Sequence, residues 1–241
     1  MSVIKFYPFS EDTVEFAPPP KPASRFLPEW YKEQRTVAVD DNVALRQGFV
    51  ASTVKRCMPV FDIMTAGYML LAPCDIFLDA TDPEKLEFNV PQALMQWKNE
   101  LFSYHSPEQY ESYPFDASQY HKQLFRVMPT WSVGTEKGYS TIFMNPHHRD
   151  DSPLYGVTAI VDTDGFITDG HVSFWVKKGF RGVIKQGTPL LQVVPFKREE
   201  WTSELVSPEV AAKALKKQRL DLRSTFSGAY KNKFRSKKEF K

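Results

Sequence analysis

The sequence predicts a mainly β fold: an antiparallel sandwich or jelly-roll-like barrel with two or three helices and extended N- and C-terminal arms. Three observations predict it. Seven short apolar runs follow one another from Leu124 to Phe196, namely LFRVM, WSVGT, GYSTIFM, YGVTAIV, FITDGHVSFWV, FRGVI and PLLQVVPF. Turn signals separate them at Gly134, Lys137-Gly138, Asp164-Gly165, Lys178-Gly179 and Gln186-Gly187. No segment of helical period lies between them, which argues antiparallel pairing rather than a parallel sheet with crossover helices.

Taken from the N-terminus, residues 1–47 read as a proline-rich arm. Ala17 to Trp30 holds five prolines, four of them between Pro18 and Pro22, and repeated φ restriction favours a surface polyproline stretch. The Pro19-x-x-Pro22 spacing suits either a wrapping arm or an aromatic peptide groove, the arm being the simpler reading, with Trp30 and Tyr31 anchoring its end. A body follows at 48–206. Within it GFVASTV, MPVFDIM and GYMLLAPCDIFL are rich in β-branched and aromatic residues and read as strands punctuated by Pro59, Gly67 and Pro73. Pro91 to Tyr104 reads as an inserted helix, with Leu94, Trp97, Leu101 and Tyr104 at helical spacing. Ser106 to Tyr120 is aromatic but has no period. Asp164-Gly165 between two apolar runs predicts a hairpin turn, since both residue types tolerate positive φ. Alternation over His171–Val176 puts Val172, Phe174 and Val176 on one face and His171, Ser173 and Trp175 on the other. Residues 207–241 read as a helix and a basic aromatic tail: Ser207 can cap, Pro208 fits the first turn, Glu209 suits the dipole, and Val210, Ala211, Ala214 and Leu215 form an apolar stripe.

The chain of 241 residues is 42% hydrophobic and 25% charged, enough to bury a continuous core. It has no run of eighteen apolar residues, and the start lacks a basic segment followed by a long apolar one, so the expected location is not secreted and not membrane-spanning. Cys57 and Cys74 are too few for a disulfide framework and read as buried thiols; Lys55 and Arg56 beside Cys57 raise a weaker case for a reactive thiolate. Charge is unevenly placed. From Lys213 to Lys241 eleven Lys and Arg stand against Asp221 and Glu239, so the last 29 residues carry +9 and the first 212 carry −7. A segment of that sign reaches for phosphates or folds against an acidic body, its own or a neighbour's.

Two clusters suggest chemistry. His148, Asp150 and His171 are the residue types of a two-His-one-carboxylate iron site, and Arg181 could hold the carboxylate of a 2-oxoacid. Only 22 residues separate the two His positions, too few for the several strands that lie between them in the usual barrel site, so a polar turn is the simpler reading. Metal and cofactor are therefore expected to be absent, iron with a 2-oxoacid being the alternative. Asp79, Asp82, Glu84 and Glu87 read as a solvated acidic loop, and no G-x-S-x-G, H-E-x-x-H, Walker or G-x-G-x-x-G pattern occurs.

The second cluster is IVDTDGF (Ile160 to Phe166), followed by IKQGTP and LQVV. It faintly resembles the trimeric dUTPase and dCTP deaminase group, and that resemblance implies Asp162 as the residue activating water and Phe166 as a stacking platform under a base. The serine-rich phosphate motif and glycine-rich C-terminal arm of that group are not found. In the tail, Phe226, Tyr230 and Phe234 recur every four residues among Lys231, Lys233 and Arg235, a pattern for docking on a protein chain or for stacking on nucleic acid. Finally, PPPKPASRFLPEWYK, VKRCMPVFDIMTAGYMLLAPCDI, KGYSTIFMNPHHRD, GVTAIVDTDGF and IKQGTPLLQVVPFKRE resemble a family of tailed-phage proteins with distant bacterial relatives and no assigned activity. The resemblance covers roughly Pro18 to Trp201 and implies a viral origin. The expected function is accordingly a non-enzymatic phage protein acting through protein contacts or self-assembly, in the virion or the cytoplasm of the infected host cell. The alternatives are a non-haem iron oxygenase using His148, Asp150 and His171, and a nucleotide-binding or nucleotide-hydrolysing β-barrel.

Overall fold

A computed structural model describes residues 2–38, 52–149, 151–167, 171–224 and 228–241. Among them the chain forms β1 (Ile4–Pro8), β2 (Lys21–Pro22), β3 (Tyr68–Leu71), β4 (Ile76–Asp79), β5 (Glu87–Asn89), β6 (Phe102–His105) and β7 (Leu124–Val127). Then come β8 (Trp131–Thr135), β9 (Tyr139–Met144), β10 (Leu154–Gly156), β11 (Ala159–Val161), β12 (Val172–Val176), β13 (Arg181–Ile184) and β14 (Pro189–Lys197). The α-helices are α1 (Thr13–Phe16), α2 (Glu29–Glu33), α3 (Met58–Thr65), α4 (Lys98–Leu101) and α5 (Pro208–Ser224).

The fold is mainly β and antiparallel. Its sheets run β10-β12-β7-β6, β11-β9-β14-β3-β2, β13-β4-β5 and β1-β8, and every pairing between named strands is antiparallel. All fourteen strands belong to one unit, Met1–Phe26, Thr65–Arg198 and Phe240. The four sheets share a core because alternate residues of each strand point inward. Phe102, Phe125 and Phe174 come from neighbouring strands of the first sheet, Phe143, Leu191 and Val193 from the second, and Ile76, Leu78 and Ile184 from the third. Phe102 and Phe125 stack with centroids 5.9 Å apart. A second unit, Leu27–Met64, Glu199–Glu239 and Lys241, carries α2, most of α3, α5 and the basic tail.

The seven C-terminal runs become strands largely where periodicity places them, YGVTAIV alone dividing into β10 and β11. Gly138, Gly179 and Gly187 take positive φ in the turns between strands. Four expectations change. First, MPVFDIM is the helix α3, not a strand. Second, Pro91 to Tyr104 is a 3-10 turn, one turn of α-helix and then β6, because Phe102 and Tyr104 pair with Val127 and Phe125. Third, Asp164-Gly165 turns the chain but closes no hairpin, and Gly165 keeps an ordinary φ: β11 pairs with β9, whereas β12 pairs with β7 and β10. Fourth, the division into units differs from the expected 1–47, 48–206 and 207–241, since β1 pairs with β8 and β2 with β3, making the first 26 residues part of the β unit. Of GFVASTV, Gly48 to Ala51 lie outside the described residues, and Val54–Arg56 is a 3-10 turn.

Candidate functional site

The outward face of the β10-β12-β7-β6 sheet holds the most elaborate cluster in the β unit. Alternation along β12 points Ser173 and Trp175 away from the core, as the sequence predicts, yet both are buried. The covering layer is the aperiodic aromatic segment. Ser106 and Gln109 form a capping box that starts a 3-10 turn over Pro107–Tyr110, and His105 Nδ1 lies 2.9 Å from Gln109 Oε1. From that turn Tyr110 meets Trp175 edge-on at 5.8 Å, and Phe115 stacks on the indole at 4.3 Å. Tyr110 also donates through its hydroxyl to Ser173 Oγ at 3.2 Å.

Beside this layer a cleft of about 500 Å³ runs between Tyr113 and Phe115 on one side and Tyr120 and Tyr155 on the other, with Trp175 also lining it. Tyr113 and Tyr155 present 41% and 51% of their surface. A smaller recess of about 230 Å³ adjoins Tyr110, Glu111, Lys122 and Trp175. The carboxylate of Asp116, at the cleft, accepts from Ser118 and Gln119, which hold its pKa below the usual carboxylate range. By contrast, the apolar crevice between Leu70, Val127 and Phe174 offers about 20 Å³, room for little more than one water.

The residues singled out from sequence are distributed elsewhere. His148 follows β9 with φ 56°, its ring 6.0 Å from that of His147, while His171 precedes β12 with Nδ1 3.2 Å from Arg126 Nη2. Asp150 lies outside the described residues, among which no group of three His, Cys, Asp or Glu is placed to hold a metal ion. Arg181 pairs with Asp79 across β13 and β4 at 3.2 Å. Asp162 accepts from Ser140 Oγ at 2.6 Å and pairs with Arg198 at 3.2 Å. Those two contacts tie Asp162 to β9 and Arg198, while its side chain stays 70% exposed to solvent. Phe166 is exposed and does not line the aromatic cleft. Cys74 is buried, which pushes its thiol up to about 12, but Cys57 is exposed, against the expectation of two buried thiols.

In the second unit, Phe226 lies outside the described residues, and Tyr230 and Phe234 bound a single π-helical turn, each about two-fifths exposed. Lys233 pairs with Asp221 at 2.7 Å. Arg235 grips Asp62 through Nε at 3.0 Å and Nη2 at 2.6 Å and lies 5.7 Å from the Phe61 ring centre, while Lys238 adds a contact to Asp62 at 3.2 Å. The tail is thus fixed by cations on an acidic residue of its own chain, more than by its aromatic stripe. Lys231 has no ion pair among the described residues. The stripe on α5 forms as expected, and it is exposed.

Sequence reasoning placed His171, Ser173 and Trp175 on one face but missed the rest of the cluster, because Ser103 and Arg126 join it through strand register and Tyr110 through the turn that covers the sheet. The one available signal was an aromatic-rich segment without a period.

No protein-family model and no curated protein matches the chain. Among solved structures it is similar to a mutant dUTPase of phage phi11 of S. aureus, at 12% identity and a TM-score of 0.34, over 86% of this chain and 97% of that one. No described helix is long and apolar enough to cross a membrane.

Proposed function

We propose that the protein works by contact between protein chains, in the first place with further copies of itself, and not by catalysis. The observation that carries this reading is the apolar surface of residues 201–222. Trp201 presents 85% of its surface and Leu205 all of it; Val206, Val210, Leu215, Leu220 and Leu222 are exposed as well. At 100° per residue Val210, Ala211, Ala214, Leu215 and Leu222 fall within one 140° stripe of α5. Such a surface on a water-facing helix is stable in contact, since each Leu or Val fully covered contributes about 1.5–3 kcal/mol. Charge supports a second copy as the occupant: Lys213, Lys217 and Arg219 beside the stripe and Lys216 on the opposite face have no ion pair among the described residues, and the first 212 residues carry −7. The sequence resemblance to tailed-phage proteins supports the virion or the infected cell as the place of action.

Light scattering of the full chain, against a Leu215→Ser/Leu222→Ser variant, is the test. The reading expects an assembled wild type, a variant shifted towards monomer with an unchanged far-ultraviolet spectrum, and only modest dependence on salt. A wild type that stays monomeric at all concentrations overturns it. So does tight binding of single-stranded nucleic acid that weakens steeply with salt, for then counterion release is what the cations serve.

A further inference from the structure

The outer face of the first sheet carries a second feature, independent of the assembly surface. Register places Ser103 of β6 opposite Arg126 of β7, and Arg126 opposite Ser173 of β12, so three side chains stand in a row across three strands. His171 lies two residues before Ser173 on the same face. Its Nδ1 is 3.2 Å from Arg126 Nη2. A guanidinium has donors only, so Nδ1 is the acceptor and the imidazole proton resides on Nε2.

That assignment leaves a one-sided inventory. Arg126 Nε–H, His171 Nε2–H and the Ser103 hydroxyl are all buried donors without a hydrogen-bond partner among the described residues. The Ser173 hydroxyl accepts from Tyr110 and keeps its own proton to give. The charges acting on His171 are Arg126 and His105, with no carboxylate among them. Burial first, then the Arg126 charge, hold the His171 pKa below the usual histidine range; the Glu100 carbonyl pulls the other way without meeting hydrogen-bond geometry. The ring is therefore a neutral donor at pH 7. A partly buried guanidinium beside three further donors, with no acid against it among the described residues, is the inverse of a solvated surface arginine, whose charge a nearby carboxylate or water answers.

We propose that Ser103, Arg126, His171 and Ser173 form a binding site for a small oxyanion, the carboxylate or phosphate group of a ligand. Such a group is chiefly an acceptor, carries the charge that balances Arg126, and has several lone pairs for the donors in this row. Tyr110 links the site to the aromatic surface, since it bonds Ser173 on one side and adjoins the recess beside Trp175 on the other.

Calorimetric titration of the full chain, in a buffer free of both anions, tests this with inorganic phosphate in one arm and acetate in the other. Saturable binding of at least one anion is expected, with a Kd of about 1 mM or below. The arm that saturates distinguishes the two sources. Arg126→Met should weaken binding at least tenfold, and Ser103→Ala, a milder change in case the first disturbs the sheet, should weaken it severalfold while leaving the melting temperature in anion-free buffer unchanged. Two results overturn the proposal: no saturable binding in either arm, or binding that a folded Arg126→Met or Ser103→Ala variant retains in full, as an ion held by the exposed lysines of α5 would be.

Discussion

Replacing Gly67 with Ala isolates how tightly the second sheet is closed against its own backbone. Gly67 has φ 69° and lies between α3 and β3, where Tyr68 pairs with Val193 of the central strand β14. A Cβ there would fall inside the van der Waals shell of the Val193 carbonyl oxygen and 2.9 Å from both Val193 C and Val194 Cγ2. The positive φ alone costs an L-residue about 1–2 kcal/mol. The clash is with backbone, so relief requires β3 and β14 to part locally. Parting strains the bonds around the junction, including Ala23 N–H to the Gly67 carbonyl at 3.0 Å and Gln192 Nε2 to the Ala66 carbonyl at 2.7 Å, each contributing about 1 kcal/mol. The total is about 3–4 kcal/mol, or a melting-temperature drop of about 6–16 °C for a domain of this size. Gly138→Ala is the internal control: φ is 88°, but nothing lies within 4 Å of the added carbon, so only the conformational cost of about 1–2 kcal/mol remains. Thermal and urea melts of both variants by circular dichroism measure the difference. Equal destabilisation of the two, within about 0.5 kcal/mol, would refute the close approach of Gly67 to β14.

Two further predictions concern charge. Arg235→Met removes the guanidinium that grips Asp62, a side chain only 10% exposed, and leaves the tail the longer Lys238 contact there. Chymotryptic cleavage at Tyr230 and Phe234, followed by mass spectrometry, should rise about one to two orders of magnitude; an unchanged rate would mean that Asp62 does not hold the tail. Asp164 is held at a pKa of about 2 by hydrogen bonds from Arg198 and the Gly138 amide. A depressed carboxylate stabilises above its ordinary value near 3.8 and loses that contribution as pH falls to about 2, so the stability gap between wild type and Asp164→Asn should be constant from pH 7 to about 5 and close between about 4 and 2. A gap that persists at pH 2 would contradict the assignment.

What was legible in the sequence was local. Strand periodicity from Leu124 to Lys197 and the Ser207-Pro208-Glu209 start of α5 express themselves within a few residues, and the structure follows them. The error at MPVFDIM is instructive because the correct signal was present. Pro59 falls in the first turn of α3 and Gly67 just past its end at positive φ, which is the proline-first, glycine-last asymmetry of a helix, here masked by β-branched composition. Other features were not local at all. Nothing near Asp164 states that β11 and β12 join different sheets, and nothing near Arg126 states that Ser103 and Ser173 will flank it, since those facts are set by register between segments 23 and 47 positions away. His171 was singled out for its chemistry, but its contact with Arg126 was not foreseen, for the same reason.

The sheet edges bear on where partners can attach. A long open edge would let another chain add a strand, and the three larger sheets offer none. Their edge strands β10, β6, β11, β2, β13 and β5 are four residues or fewer. On β10 side chains also occupy the backbone. Asn145 bonds both the amide and the carbonyl of Gly156 at 2.6 and 2.8 Å, and Ser152 does the same for Leu154 at 3.1 and 3.2 Å. An incoming strand would have to displace these bonds before making its own, so strand addition gains little there. For the three larger sheets this leaves side-chain surfaces, and the apolar run from Trp201 to Leu222 is the one on which the proposed assembly rests. An Asn145→Ala/Ser152→Ala variant makes the distinction measurable. Freeing the β10 edge should add a new, thioflavin-positive mode of aggregation while the proposed assembly through Leu215 and Leu222 is unchanged; if freeing the edge strengthens that assembly instead, the proposal is wrong about the helix and strands hold the copies together.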